Sequence, residues 1–284
     1  MKHIIVTGAF DDVRWRQIRF LEEAAKFGDL TVGLWSDDLI RQTSGQKPKF
    51  SQAERAYYLN ALRYVKQVRM ISQDASSHRP SVTKGKLLAP VLAVFGFRPD
   101  LWVVDAAHDE AAAREFCAAQ GIACHVLHDE DLLGFPDASA SQVGTAPGRK
   151  KVLVTGCYDW FHSGHVRFFE EVSAFGDLYA VVGHDANIRL LKGEGHPLFP
   201  QEERRYVVQA IRFVKQALVS TGEGWLDAEP EILRIKPDIY AVNEDGDQPV
   251  KREYCERRGI QYLVLKRTPA PGLPKRTSTD LRGF

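Results

Sequence analysis

Gly156-Cys157-Tyr158-Asp159-Trp160-Phe161-His162-Ser163-Gly164-His165 is the stretch of this chain best equipped for chemistry. It follows the apolar run Val152-Leu153-Val154 and precedes an amphipathic run containing Phe168, Phe169 and Val172. The order therefore reads strand, glycine-containing turn, helix. A helix that opens just past a strand aims unpaired backbone N–H groups and the positive end of its dipole above the sheet, where phosphates collect. His162 and His165, three positions apart in the first turn, share one helix face. Two imidazoles there suit a phosphorus centre whose charge grows on its equatorial oxygens. Two other readings of the pair stay open: half of a zinc site, for which no third ligand stands at ordinary spacing, and two capping histidines without chemistry.

The decapeptide resembles the GxFDxxHxGH signature of the cytidylyltransferase-like branch of the HxGH nucleotidyltransferases. Arg276-Thr277-Ser278-Thr279 resembles the same branch's second signature, a loop entering a helix, in the expected order and within one domain length. The resemblance implies nucleotidyl transfer, in which a phosphate oxygen of an acceptor attacks the α-phosphorus of a nucleoside triphosphate and pyrophosphate leaves. His162 and His165 would stabilise the α-phosphoryl group, and Gly156, Cys157, Tyr158 and Gly164 would form the phosphate loop. Asp159 would orient the acceptor side or a phosphate-bound water, although the residue alone reads equally as a turn aspartate. Lys192, in a glycine-rich loop beginning at Leu191, resembles the Lys-Gly pair laid over the reacting phosphates. Arg204 of Glu203-Arg204 resembles an arginine pointing into the phosphate region. Arg276, Thr277, Ser278 and Thr279 would hold the leaving pyrophosphate, with Thr277 or Ser278 as N-cap of a helix over 277–282. An insertion between Arg267 and Ser278 makes either Arg267 or Arg276 the motif arginine; Arg276 is preferred because it adjoins the Thr-Ser-Thr. Mg²⁺ is expected to arrive on the triphosphate, with no protein metal site.

The expected reaction uses CTP and a small phosphorylated alcohol such as phosphoethanolamine or glycerol phosphate. ATP with a sugar phosphate, as in the adenylyltransferases of heptose activation, is the alternative. A nucleotide-binding module without catalysis is the reading from another class.

The motif sits within an internal repeat. Lys2-His-Ile-Ile-Val-Thr-Gly8-Ala-Phe-Asp11 matches Lys151-Val-Leu-Val-Thr-Gly156-Cys-Tyr-Asp159, and Arg19 to Leu30 matches Arg167 to Leu178 without a gap. Glu54-Arg55 answers Glu203-Arg204, Leu62 to Gln67 answers Ile211 to Gln216, and Pro99-Asp100 answers Pro237-Asp238. The expected layout is a degenerate domain over 1–133, a Gly/Pro/Ser-rich linker over 134–149 and a catalytic domain over 150–284. This tandem arrangement is similar to that of the ethanolamine-phosphate cytidylyltransferases, though there the better-kept copy comes first. In the first copy Arg14, Trp15, Arg16 and Gln17 stand opposite His162, Ser163, Gly164 and His165, so the site is lost while the core pattern stays. That copy is expected to imitate a partner subunit in an intramolecular pseudo-dimer; alternatively, Arg14 and Arg16 bind a regulatory anion. The segment 72–97 has no counterpart of like composition.

Alternation of apolar runs and amphipathic helices predicts two doubly wound, Rossmann-like α/β domains with parallel sheets. In the second copy the strands are expected near 151–155, 178–182, 215–219, 238–242 and 261–265. Its helices are expected near 163–175, 200–213, 227–235, 249–258 and 277–282. The 284 residues suit one large or two small domains, and 44% hydrophobic content is ample for packed cores. A formal charge of +1 gives no field suggesting nucleic acid or a membrane surface as partner, and no apolar run approaches a spanning helix or a signal peptide. Four cysteines without a CxxC pair imply reduced thiols and a cytoplasmic protein, with Cys157 a buried filler rather than a nucleophile.

Overall fold

The computed structural model describes residues 1–72, 88–136, 148–278 and 281. The chain divides into two compact units, Met1–Gly134 and Phe135–Phe284.

In the first unit the elements run β1 (His3–Gly8), α1 (Trp15–Ala25), β2 (Asp29–Trp35), α2 (Asp37–Ser44), α3 (Gln52–Ala61), β3 (Gln67–Ile71), α4 (Leu88–Phe95), β4 (Leu101–Asp105), α5 (Ala111–Gln120) and β5 (Ala123–Leu127). In the second they run β6 (Lys151–Gly156), α6 (Ser163–Ser173), β7 (Asp177–Val182), α7 (Asp185–Lys192), α8 (Gln201–Gln209), β8 (Val214–Val219), α9 (Glu229–Ile235), β9 (Ile239–Asn243), α10 (Pro249–Arg258) and β10 (Gln261–Leu265). Each unit holds a five-stranded sheet, ordered β3-β2-β1-β4-β5 and β8-β7-β6-β9-β10, with every neighbouring pair parallel. The two Rossmann-like α/β units expected from the repeat are thus present, each around its own sheet.

Burial on both faces explains the continuous apolar strands. Val152, Leu153 and Val154 are all fully buried: Leu153 packs with Tyr179, Ile232 and Tyr240 on one side of the sheet, while its neighbours point to the other. α6 buries Val166, Phe169 and Val172, three residues on one stripe that lie fully inside. Each such side chain contributes about 1.5–3 kcal/mol relative to exposure, which fixes where α6 begins above the sheet. The strand order reverses between β6 and β9, and the crevice at the carboxyl ends of those strands is where ligands of open α/β sheets bind.

Two sequence expectations are corrected. The stretch read as a loop around Lys192 is the end of helix α7, whose N-cap is His184 and whose chain turns at Gly193 with φ +86°. The helix expected over 277–282 is not formed at Thr277, Ser278 or Leu281, the described residues of that span. Most of the expected linker and of the segment 72–97 lies outside the described residues. No described helix is long and apolar enough to cross a membrane.

Candidate active site

At the mouth of α6 the two histidines cap the helix reciprocally. The Gly164 N–H donates to His162 Nδ1 (3.0 Å), and the His162 N–H donates to His165 Nδ1 (3.4 Å). A ring nitrogen that accepts from an N–H carries no proton, so each neutral imidazole keeps its hydrogen on Nε2. The ring centroids lie 4.0 Å apart. Phe161 stacks on His165 at 5.1 Å and Tyr158 meets it edge-on at 5.4 Å, locking the ring's orientation. Burial, followed by the neighbouring His162, Arg267 and Lys192, pushes His165 well below the usual imidazole range. His165 therefore stands as a neutral hydrogen-bond donor.

Glycine is required at two points here. A Cβ on Gly164 would stand 2.8 Å from Cε1 of His162, and one on Gly156 would stand 2.7 Å from the Tyr158 ring. Tyr158 folds back over the strand end with φ +53°, as Phe10 does in the first unit with φ +46°.

A cleft of about 390 Å³ opens over the carboxyl ends of β6 and β9. Of the residues singled out by sequence, Gly156, Cys157, Tyr158, Asp159, Gly164, His165, Lys192, Thr277 and Ser278 line it. His162 is 2% exposed and sits behind His165 as the N-cap. The C-terminal tail reaches the same place: Ser278 Oγ donates to the Trp160 carbonyl (3.3 Å), and the Arg276 carbonyl lies near Gly164. Thr279 lies outside the described residues.

Two arginines change roles. Arg276 lines a smaller depression beside Gly164, whereas Arg267 lines both that depression and the cleft. Arg267 also pairs with Asp245 and donates to the Arg276 carbonyl (3.0 Å), tying the tail to the loop after β9. Of the two candidates for the motif arginine, Arg267 is thus the one that lines the cleft, and Arg276, the preferred one, lines the depression beside it.

Arg204 is not free for phosphate. It is 1% exposed, and donates to the carbonyls of Phe199 (2.9 Å), Cys157 (2.5 Å) and Gly183 (2.8 Å) and to Asp185 Oδ1 (2.6 Å). Arg55 makes three of these four bonds in the first unit, to Phe50, Ala9 and Asp37. The contact is thus kept in a copy without the HxGH residues, and it ties the loops together. Asp159 behaves alike: its Oδ1 accepts from the N–H groups of Leu198 (2.7 Å) and Phe199 (3.0 Å), as Asp11 accepts from those of Lys49 and Phe50. Both residues clamp the loop before α8 onto the β6 turn, and Asp159 still borders the cleft.

Burial pushes the Cys157 thiol up, with Lys192 and Arg204 opposing, so it remains a filler rather than a thiolate. In the first unit Gln17 Oε1 accepts from the Arg14 N–H (3.0 Å), preserving the cap that His165 makes while discarding the imidazole. Arg14 pairs there with Asp12, and Arg16 with Asp129, so the guanidiniums proposed for a regulatory anion are engaged with carboxylates of their own unit.

The far wall of the cleft escaped the sequence reading. It is built by Asn187, Trp225, Asp227, Asn243, Asp245 and Lys251. Asn187 Nδ2 donates to the Gly224 carbonyl (3.1 Å) and its Oδ1 accepts from the Gly224 N–H (2.7 Å), stapling α7 to the turn that carries the half-exposed Trp225. The available signal was the repeat itself: Leu39, Ala107 and Ala113 of the first copy stand where the second has Asn187, Asp245 and Lys251.

Residues 153–279 match the family described as cytidylyltransferase-like. The FAD synthase of Ferroglobus placidus is 38% identical over 120 residues, which cover 41% of this chain and 75% of that enzyme. The FAD synthase of Thermococcus kodakarensis is 38% identical over 124 residues, covering 42% of this chain and 80% of that enzyme. The bifunctional protein HldE of Geobacter sulfurreducens is 40% identical over 117 residues, covering 40% of this chain and 23% of that protein. The chain belongs to the cytidylyltransferase-like family of nucleotidyltransferases.

Proposed function

We propose that the second unit transfers a nucleoside monophosphate from a nucleoside triphosphate to a phosphate oxygen of a small acceptor, releasing pyrophosphate. The observation that carries this reading is the pair of mutually capping imidazoles at the N-terminus of α6, with His165 facing the cleft beside Lys192, Arg267 and the tail. A phosphate acceptor is already a competent nucleophile, so the work is positioning and charge neutralisation. His165 donates from Nε2 to the α-phosphoryl oxygens as they gain charge. His162 is a positioning residue that fixes the helix mouth and the His165 tautomer. Lys192, at the end of α7, bridges the phosphates, and Arg267 with Thr277 and Ser278 receives the departing pyrophosphate.

The cleft carboxylates are committed: Asp159 to two backbone N–H groups, Asp245 to Arg267, and Asp227 Oδ2 to Ser220 Oγ (2.7 Å). Such a donor set suits Mg²⁺ that enters with the triphosphate and keeps its own phosphate and water ligands. The relatives' name FAD synthase denotes a product containing an adenylyl group, which favours ATP as donor. CTP with a small phosphorylated alcohol is the second reading, favoured by the family's description. Pyrophosphate release measured with MgATP and MgCTP, each against flavin mononucleotide, sugar phosphates, phosphoethanolamine and glycerol phosphate, separates the two. Absence of turnover with every pair overturns both.

A further inference from the structure

α10 carries a lysine that its own fold does not require. Lys251 is only 8% exposed, yet it lines the cleft. Among the described residues its ammonium makes no hydrogen bond and no ion pair; the Tyr240 ring lies under it at 6.0 Å from the centroid, the outer limit of a cation–π contact. Asp227, Asp247 and the Cys255 thiol favour its charge from beyond contact distance, while burial lowers its pKa more than they raise it. A desolvated cation without a partner is costly, and it is retained only where something offsets that cost.

The first unit supplies an internal control. From Pro99 to Leu127 and from Pro237 to Leu265 the two copies pair without a gap. Arg114 and Arg252 bridge Asp109 and Asp247 in the same way, and α5 and α10 both turn at a left-handed glycine, Gly121 and Gly259. Cys117 and Cys255 are equivalent buried thiols. Within this shared frame Ala113 occupies the place of Lys251, in the copy that has also lost His162, His165 and Lys192. The helix packs with alanine there, so the lysine accompanies the chemistry rather than the fold.

We propose that Lys251 binds an anionic group of the acceptor distinct from the phosphate that reacts, so that acceptors with a second negative charge are selected. The proposal rests on the reading of the cleft as a nucleotidyl-transfer site. The reacting phosphate must meet the α-phosphorus at His165 and Lys192, on α6 and α7. Lys251 lines the same cleft from α10, an element that carries neither of those groups. The bases of ATP and CTP are uncharged and compensate a buried ammonium poorly, whereas a carboxylate or second phosphate makes a charge-assisted hydrogen bond with it.

The test uses the full chain, held with saturating Mg²⁺ and a non-transferable α,β-methylene triphosphate, and two probes of one backbone. Glycerol 3-phosphate carries the phosphate alone; 3-phosphoglycerate adds a carboxylate. Calorimetric titration should show 3-phosphoglycerate binding the wild type at least tenfold more tightly than glycerol 3-phosphate. K251A, which restores the first unit's residue, and K251M should abolish that preference, while K251R should retain part of it. In the unmutated chain, 3-phosphoglycerate should also protect Lys251 from amine acylation, read by peptide mass spectrometry, and glycerol 3-phosphate should not. Equal behaviour of the two probes with the wild type, whether both bind or neither does, overturns the proposal, as does a preference that survives K251A. Tenfold weaker nucleotide binding in K251A with the probe preference intact places the lysine on the nucleotide and overturns it too. Wild-type protein that binds neither MgATP nor MgCTP refutes the transfer reading itself.

Discussion

Replacing Arg204 with methionine separates architecture from phosphate binding. The guanidinium is 1% exposed and makes four hydrogen bonds, three to carbonyls of separate loops and one to Asp185. Methionine fills much of the volume but leaves those carbonyls without a donor, at about 1–3 kcal/mol for each that water cannot reach, and breaking a buried pair typically costs about 3–5 kcal/mol. Water entering from the cleft and the partly exposed Asp185 moderate the sum, so about 4 kcal/mol is expected for the second unit. For a unit of this size that corresponds to a loss of about 8–16 °C in its melting transition. The two units need not melt together, so the assay is calorimetry resolved into transitions, with the same substitution at Arg55 as reference. R55M should lower a transition by a similar or somewhat smaller amount, because Arg55 makes three of the four bonds in a copy without the HxGH pair. If R204M leaves melting unchanged while weakening nucleotide binding tenfold or more, Arg204 is a phosphate ligand and the architectural argument fails.

H165Q introduces the residue that caps α1 in the first unit, so the fold should hold while turnover falls about 10²–10³-fold, with nucleotide affinity changed far less; parallel losses in both would point to a binding module. His165 is held neutral in the fold, below its ordinary value of 6.5, so the unfolded chain binds the extra proton as pH falls. Stability should therefore be full well above that value and decline as the pH falls below it, and H165Q should flatten that decline in thermal melts. K192A should lower the rate with little change in melting temperature, since Lys192 ends a surface helix; a large melting shift would assign it to the fold. G164A should abolish turnover by driving a methyl into the His162 ring, whereas G193A, in open space but at φ +86° and ψ −179°, should cost about 1–3 kcal/mol in stability and leave the His162–His165 geometry intact.

The sheets were legible because their strands are buried on both faces and so read as apolar runs, and the repeat made each run visible twice. The juxtaposition of the HxGH turn with the tail was legible from motif order alone. Helix α7 was not, because Lys192, Gly193 and Gly195 suggest a loop while the helix that precedes them is short and caps on His184, an uncommon N-cap. Arg204 and Asp159 read as ligands because charged residues near a phosphate loop invite that role. Only the structure reveals that they bond to the backbone of neighbouring loops and, for Arg204, to Asp185 as well, although the survival of Asp11 and Arg55 in the disabled copy carried the hint. Lys251 lay in a helix whose apolar periodicity is weak, and nothing local marked it; the contrast with Ala113 does.

The central claim is that bond cleavage occurs at the α-phosphorus held by His165. Turnover with triphosphate labelled separately at the α and γ positions addresses it directly, in the wild type and H165Q. The α label should enter the acceptor product, the γ label should leave in pyrophosphate, and both signals should fall together in H165Q. Transfer of the γ label, or release of orthophosphate in place of pyrophosphate, would contradict the account.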